Sequence, residues 1–348
     1  VSEEEVFKLL LRRLGLSPYE ASAYSALVRY GPLTATELGK ITRIPQSRVY
    51  DVVSKLVKKG FVAVSGGNPS VYRAIRPSVA LRAYSEEVVR NLSGVAAKAA
   101  EIGEALRGLQ PPSEDARIWS TTSLSTAVYE MASLLSSARV EVLAALMPDT
   151  LQRLLKDLRA ASERGVSVCL VAYDELPPQR YLDEHFERRV RGPQILVSDR
   201  QEVLIATRWD PAREQAYVFM TSNQELMRVF VEYYLMVARG MAKPVYTRFG
   251  SEVTERSFLY LQRAVSLVRE LWRNKMRVEV LVQGVDTKTY EPVEVSGTAK
   301  KVYIDMKRGV TTLYVQTGEG VVSVGGWGAY IEDIQANFIH VRGVPRRG

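Results

Sequence analysis

After Leu33 the chain reads TATELGKITRIPQSRVYDVVSKLVKKG and then FVAVSGGNPSVYRAI, ending at Ile75. Few folds accommodate that order of signals. Thr34 followed by Glu37 is a capping box, in which each side chain can satisfy a backbone N–H at a helix start. Pro45 suits the first turn of a second helix, where a missing N–H costs nothing. Val49, Val52, Val53, Leu56 and Val57 then recur at helical spacing as one apolar stripe, and Gly60 can close the helix in a left-handed conformation. The stretch beyond alternates like a two-stranded ribbon with a Gly-Gly-Asn-Pro tip. Short helix, tight turn, longer helix and ribbon together predict a winged helix-turn-helix.

The polar faces of the second helix carry Gln46, Ser47, Arg48, Tyr50, Ser54, Lys55 and Lys58. Such side chains at the front of a reading helix match the donors and acceptors that base edges present in the major groove. Lys55, Lys58, Lys59, Arg73 and Arg76 can neutralise phosphates and fix the docking pose, and Thr34 and Tyr72 complete the candidate DNA-facing set. Asp51 points outward and would repel phosphate; it either orients Arg48 or accepts from a cytosine amino group. An ordinary amphipathic helical hairpin with a solvated basic face is the competing account. Charge alone favours it, but the order of caps, Pro, stripe, Gly and ribbon favours a DNA reader.

With 348 residues the chain should hold two or three domains, each large enough for its own core. A net charge of +8 fits a polyanionic partner without requiring one. The longest apolar runs, VEVLAALM and VCLVAY, are too short to span a bilayer. No basic-then-apolar leader precedes Glu3-Glu4-Glu5, so a cytoplasmic location and no membrane partner are expected. The one cysteine, Cys169, lies in an apolar run and reads as a buried small side chain. His185 and His340, the only histidines, lack a second ligand at metal spacing. No metal, no cofactor and no catalytic residues are expected.

Along the chain, residues 5–14 form a first helix with Val6, Leu9, Leu10 and Leu14 on its core side. Ser17 and Glu20 cap a second helix, which stops at Gly31-Pro32. Pro77-Ser78 opens a long helix in which Leu81, Val88, Val95, Ile102 and Leu109 fall seven apart. Leu92, Ala99 and Leu106 follow four residues behind the middle three, an a/d seam that predicts a coiled-coil homodimer. Gln110–Asp115 reads as a linker. Beyond it ARVEVLAALM and VSVCLVAYD flank a helix capped by Asp149, a βαβ unit over 139–174. QILVSD, EVLIAT and AYVFMT follow as strands, then a helix over 224–239. After the joint marked by Pro244 and Gly250, SEVTERSFLYLQRAVSLVRELWRNK reads as one helix, and 276–344 as a small all-β module. The fold class is therefore multidomain α+β: winged helix over 1–76, coiled-coil helix over 77–110, α/β domain over 111–250, connecting helix and β domain over 251–348. Neither G-x-G-x-x-G nor G-x-x-x-x-G-K-[ST] occurs, so nucleotide phosphates find no cradle of either kind.

Three segments resemble the TrmB-like family of transcriptional regulators, largely archaeal and often sugar-responsive. They are LGLSPYEASAYSALVRYGPLTATELGKITRIPQSRVYDVVSKLVKKGFV, the stretch ending DRQEVLIATR…YVFMTSN, and GVDTKTYEPVEVSGTAKKV with GGWGAYIEDIQANFI. The resemblance implies a phospholipase-D-like middle domain, a double-stranded DNA operator, and a mono- or oligosaccharide held between the middle and C-terminal domains. It assigns Gly325 or Gly326 to close backbone approach and Glu332 to sugar hydroxyls, with Asp333 as a brace and Ser222 and Asn223 facing them. Trp327 could supply an aromatic platform. Spacing alone favours a hairpin turn at Gly325-Gly326 and a helix-start pair at Glu332-Asp333; only the resemblance brings the site reading level with it. TKTYEP departs from the family's Thr-Gly-Glu pattern, with Tyr290 where Gly is expected. A phospholipase-D-like hydrolase would need His-x-Lys-x4-Asp; His185 is followed by Phe186-Glu187 and His340 by Val341-Arg342, so neither motif is present. A constitutive architectural DNA-binding protein, indifferent to metabolites, is the other alternative.

Overall fold

The structure, a computed structural model, describes residues 2–107, 117–305 and 308–345. The chain divides into two compact units, Val1–Pro112 and Ser113–Gly348. Leu109 and the expected linker Gln110–Asp115 lie outside the described residues.

In the first unit α1 (Glu3–Arg13), α2 (Pro18–Tyr30), α3 (Ala35–Thr42) and α4 (Gln46–Lys58) precede a ribbon of β2 (Val62–Ser65) and β3 (Val71–Ala74), with α5 (Pro77–Arg107) beyond it. The two-residue β1 (Leu33–Thr34) pairs with β3, giving the sheet order β1-β3-β2 of a winged helix-turn-helix. Ser17/Glu20 and Thr34/Glu37 are both complete capping boxes. Gly60 follows α4 at φ 76°. Pro45 is not inside α4 but is its N-cap, because its extended ψ of 131° precedes the first helical residue. A stack of rings, Phe7 to Tyr24 to Phe61 to Tyr84, ties α1, α2, the ribbon and α5 into one core. The Tyr24 hydroxyl donates to the Ile75 carbonyl at 2.8 Å.

Two expectations change here. Leu11 and Phe7, four apart, are the α1 residues that enter the core; Val6, Leu9, Leu10 and Leu14 are exposed. Both sides of this helix are apolar, so periodicity could not say which one would be covered. Leu81, assigned to the coiled-coil seam, packs against the winged-helix core instead, because it lies only four residues into α5.

The second unit carries two sheets. The larger has the order β11-β7-β6-β5-β8-β9-β10-β4, from β4 (Ile118–Ser123), β5 (Glu141–Leu146), β6 (Ser167–Tyr173), β7 (Glu184–Arg188), β8 (Gln194–Ser198), β9 (Glu202–Asp210), β10 (Gln215–Thr221) and β11 (Lys243–Thr247). β5, β6 and β7 run parallel and the other pairings are antiparallel. β5 and β6 are buried along their whole length, as their unbroken apolar runs require, and Cys169 is buried among them. Helices α6 (Leu124–Ser137) and α7 (Pro148–Glu163) cover one face. α8 (Gln224–Glu232) and its π-helical continuation Tyr233–Arg239 cover the other. Asp149 sits inside the first turn of α7 and bonds Trp209; the N-cap is Met147, because Pro148 already holds the first helical position.

The second sheet contains β12 (Glu255–Phe258), β13 (Arg277–Asp286), β14 (Pro292–Asp305), β15 (Val310–Gln316), β16 (Val321–Gly325) and β17 (Ile334–Val344). Pairing of β16 with β17 closes five of these strands into a ring, and α9 (Leu261–Arg273) packs its apolar face into it. The single long helix expected from Ser251 therefore starts only at Leu261. Its first part is β12, pairing with β17 from far along the chain. Among the described residues no helix is long and apolar enough to cross a membrane.

Candidate functional site

Val49, Val52, Val53 and Leu56 hold α4 against the winged-helix core, each at most 5% exposed. That fixes the outward set: Gln46, Ser47, Arg48, Tyr50, Ser54, Lys55 and Lys58 are all exposed. Gly39 on α3 lets α4 approach closely, since a Cβ there would lie 2.7 Å from the Gln46 Oε1 and 3.2 Å from Val49. Gln46 is thus folded back toward α3. The Asp51 carboxylate bonds Lys55 at 2.8 Å, whereas Arg48 lies 5.9 Å from the Tyr19 ring. Asp51 positions Lys55, an i,i+4 pair on one helix face, rather than Arg48.

Arg73 is exposed on the wing as expected. Tyr72 is not; strand alternation turns it inward, 9% exposed, into the core. The Thr34 hydroxyl is committed to its cap, donating to Glu37 Oε2 at 2.8 Å. Arg43, which sequence reasoning passed over, is exposed at the turn between α3 and α4 with φ 58°. Along α5, Leu92, Val95, Ala99, Ile102 and Leu106 are exposed and Val88 is half-buried, so an apolar stripe runs down the helix without burial.

In the second unit a cavity of about 340 Å³ lies between the two sheets' helices. Gly326, Trp327 and Glu332, on the loop from β16 to β17, line it with Tyr260 and Gln262 at the start of α9 and Arg228 on α8. Glu332 is only 7% exposed, and its Oε1 accepts from the Thr312 hydroxyl at 2.7 Å. Gly325 makes room for that carboxylate: a Cβ there would stand 2.6 Å from Glu332 Oε2. Asp333 is a brace, accepting from both the backbone N–H and the hydroxyl of Ser323. One face of Trp327 is covered by Arg200, which lies 4.8 Å from its ring and 4.9 Å from that of Tyr260. Ser222 and Asn223 are outside the lining, and Asn223 caps α8 by accepting from the Leu226 N–H. Arg228, Tyr260 and Gln262 were not foreseen, because no local pattern shows that α8 and α9 converge on this loop.

Beside the cavity a buried ionic cluster joins its walls. Arg263 of α9, fully buried, donates to Glu141 Oε1 at 3.3 Å and the Ser167 hydroxyl at 2.9 Å, and pairs with Glu184 at 2.5 Å. Arg239, at the end of the π-helical segment, reaches Glu184 at 2.6 Å and Ser266 at 2.8 Å. Glu141 Oε2 accepts from the backbone N–H groups of Leu259 and Tyr260. Burial pushes the Glu141 carboxyl up to about 7 against the pull of Arg263 and those amides. Burial also works against ionisation of Glu184, but Arg239 and Arg263 outweigh it and hold that carboxyl below its ordinary value.

Residues 11–78 match the family described as sugar-specific transcriptional regulator TrmB, 117–246 the N-terminal subdomain of the TrmB effector-binding domain, and 253–344 the C-terminal subdomain of TrmB/TrmBL1. The HTH-type sugar sensing transcriptional regulator TrmBL1 of Pyrococcus furiosus is 24% identical over 358 residues, spanning 96% of this chain and 97% of the relative. The putative HTH-type transcriptional regulator TrmBL2 of the same organism is 29% identical over 187 residues, 51% of this chain and 71% of the relative. A solved structure of TrmBL2, described as an archaeal chromatin protein with a novel mode of DNA binding, overlaps 70% of this chain and all of its own at 24% identity and a TM-score of 0.46.

Proposed function

The chain belongs to the TrmB family of transcriptional regulators, not to the enzymes, and from that premise we propose that it is a homodimer whose operator affinity is set by a small molecule, a mono- or oligosaccharide, in the cavity beside Glu332. The carrying observation is Glu332 itself. It is a carboxylate almost out of solvent, bonded to a hydroxyl and aimed into a cavity of ligand size. Thr312 takes one of its oxygens, and a carboxylate lining a cavity has acceptor capacity left for ligand hydroxyls. Gln262 and Arg228 supply donors around the same space, and Gly326 lets a ligand approach the backbone. Ser47, Arg48, Tyr50 and Ser54 read base edges, while Lys55, Lys58 and Arg73 contact phosphates. Val88, Leu92, Val95, Ala99, Ile102 and Leu106 form the dimer seam.

The mechanism is linkage. A ligand that favours one arrangement of the effector unit changes operator affinity only by its differential affinity for the two arrangements. The test is fluorescence anisotropy on genome-selected DNA fragments, with and without a panel of sugars. A change of about ten-fold, ~1.4 kcal/mol of coupling, abolished by Glu332→Gln, is expected. Selective DNA binding indifferent to every sugar would leave a regulator with another effector. Binding indifferent to both sequence and sugar would establish the architectural alternative.

A further inference from the structure

Helix α1 carries two apolar faces, and the fold uses one. Phe7 and Leu11 enter the winged-helix core. On the opposite side Val6, Leu9 and Leu10 are 44%, 51% and 52% exposed. A helix that is apolar all round is ordinarily covered all round, and this face of α1 is not.

The charges on α1 say what fits the second face. Its first turn is Glu3-Glu4-Glu5 and its last turn Arg12-Arg13. Glu4 is engaged by Lys8 and Arg29, and Glu5 completes the cap on Ser2. Among the described residues Glu3, Arg12 and Arg13 have no ion-pair partner. A step of 100° per residue places Glu3 at one end of the exposed stripe and Arg13 at the other, with Glu5 and Arg12 together along one flank. The stripe is therefore acidic, apolar, then basic along its length.

That sequence is complementary to itself reversed. We propose that α1 pairs with α1 of a second copy, antiparallel across a two-fold axis level with residue 8 and beside Leu9, as a self-association surface separate from the α5 seam. Val6 of each copy then faces Leu10 of the other, and Glu3 of each faces Arg13 of the other, the reciprocal pattern an isologous contact requires. A parallel arrangement would set acid against acid and base against base. DNA does not suit the stripe, since its centre is apolar and one end repels phosphate.

The full-length chain provides the test. Cys169 is fully buried, so a Leu9→Cys variant presents one accessible thiol to a short bismaleimide. Cross-linked dimer is expected at least about ten-fold above that from Lys40→Cys, an exposed position on α3. Adding Arg13→Glu to Leu9→Cys should lower the yield about five-fold, the scale of an exposed ion pair turned repulsive. Further adding Glu3→Arg should restore it. Equal yields at positions 9 and 40, a yield unmoved by Arg13→Glu, or no recovery with Glu3→Arg would each overturn the pairing. Circular dichroism of each variant checks that α1 and its domain remain folded.

Discussion

Tyr290 sits at φ 62° in the turn from Asp286 to Glu291, a left-handed conformation that favours glycine, and is 79% exposed. The turn is pinned from both sides. Asp286 accepts from the Lys288 and Thr289 N–H groups, and the Thr287 hydroxyl donates to the Glu332 carbonyl. The backbone therefore keeps this conformation whatever side chain stands at 290. A side chain there costs about 1–2 kcal/mol against the Cβ, while glycine would forfeit about 0.5–1 kcal/mol of unfolded-state entropy. Tyr290→Gly should stabilise the protein by roughly 0.5 kcal/mol, read as a higher urea midpoint; a lower midpoint would mean the exposed ring makes a contact that holds the turn. The glycine expected here by family resemblance thus has a physical reason, and its replacement leaves the tether to Glu332 in place.

At the scale of elements, α5 shows what an isolated helix cannot explain by itself. Leu92 and Ile102 are 65% and 50% exposed along a heptad stripe, and apolar rows of that length are ordinarily buried by a partner helix. If α5 forms the proposed dimer seam, Leu92→Lys with Ile102→Lys should give monomer in sedimentation and weaken operator binding at least about ten-fold, since two half-sites are then no longer read together. A variant that stays dimeric and keeps full DNA affinity would remove the seam from the account. The elements legible in the sequence are those fixed by neighbours in the chain: the capping boxes at Ser17 and Thr34, the α4 stripe, the buried runs of β5 and β6. β12 was hidden because it is a strand only through β17, over eighty residues on. The two-faced α1 was ambiguous for a different reason, since either side satisfied the helical period. At the site, Glu332, Trp327 and Gly326 were reached through family resemblance, whereas Arg228 and Gln262 depend on how α8 and α9 meet.

For the effector unit as a whole, the cluster of Arg263, Glu184, Arg239 and Glu141 links the cavity to pH. Tyr260 and Gln262 line the cavity within three residues of Arg263, and Arg239 ends the helical segment on the other wall. The two carboxylates titrate in opposite senses. Glu141, raised to about 7 from an ordinary 4.5, holds a proton in the folded chain between those values that the unfolded chain has lost. Raising pH through that window therefore reduces stability. Glu184 is held below its ordinary value, so its contribution is present above about 4.5 and is lost only as pH falls further. Between pH 5 and 8 the Glu141 effect acts alone of the two and lowers the urea midpoint as pH rises, while His185, held below its ordinary value by burial, raises the midpoint up to about pH 6.5. Glu141→Gln has no proton to lose, and its midpoint should be lower than the parent's near pH 5, with the gap closing as pH rises. Parallel curves for the two proteins would show that Glu141 stays ionised throughout, its charge fully compensated by Arg263 and the amides of Leu259 and Tyr260.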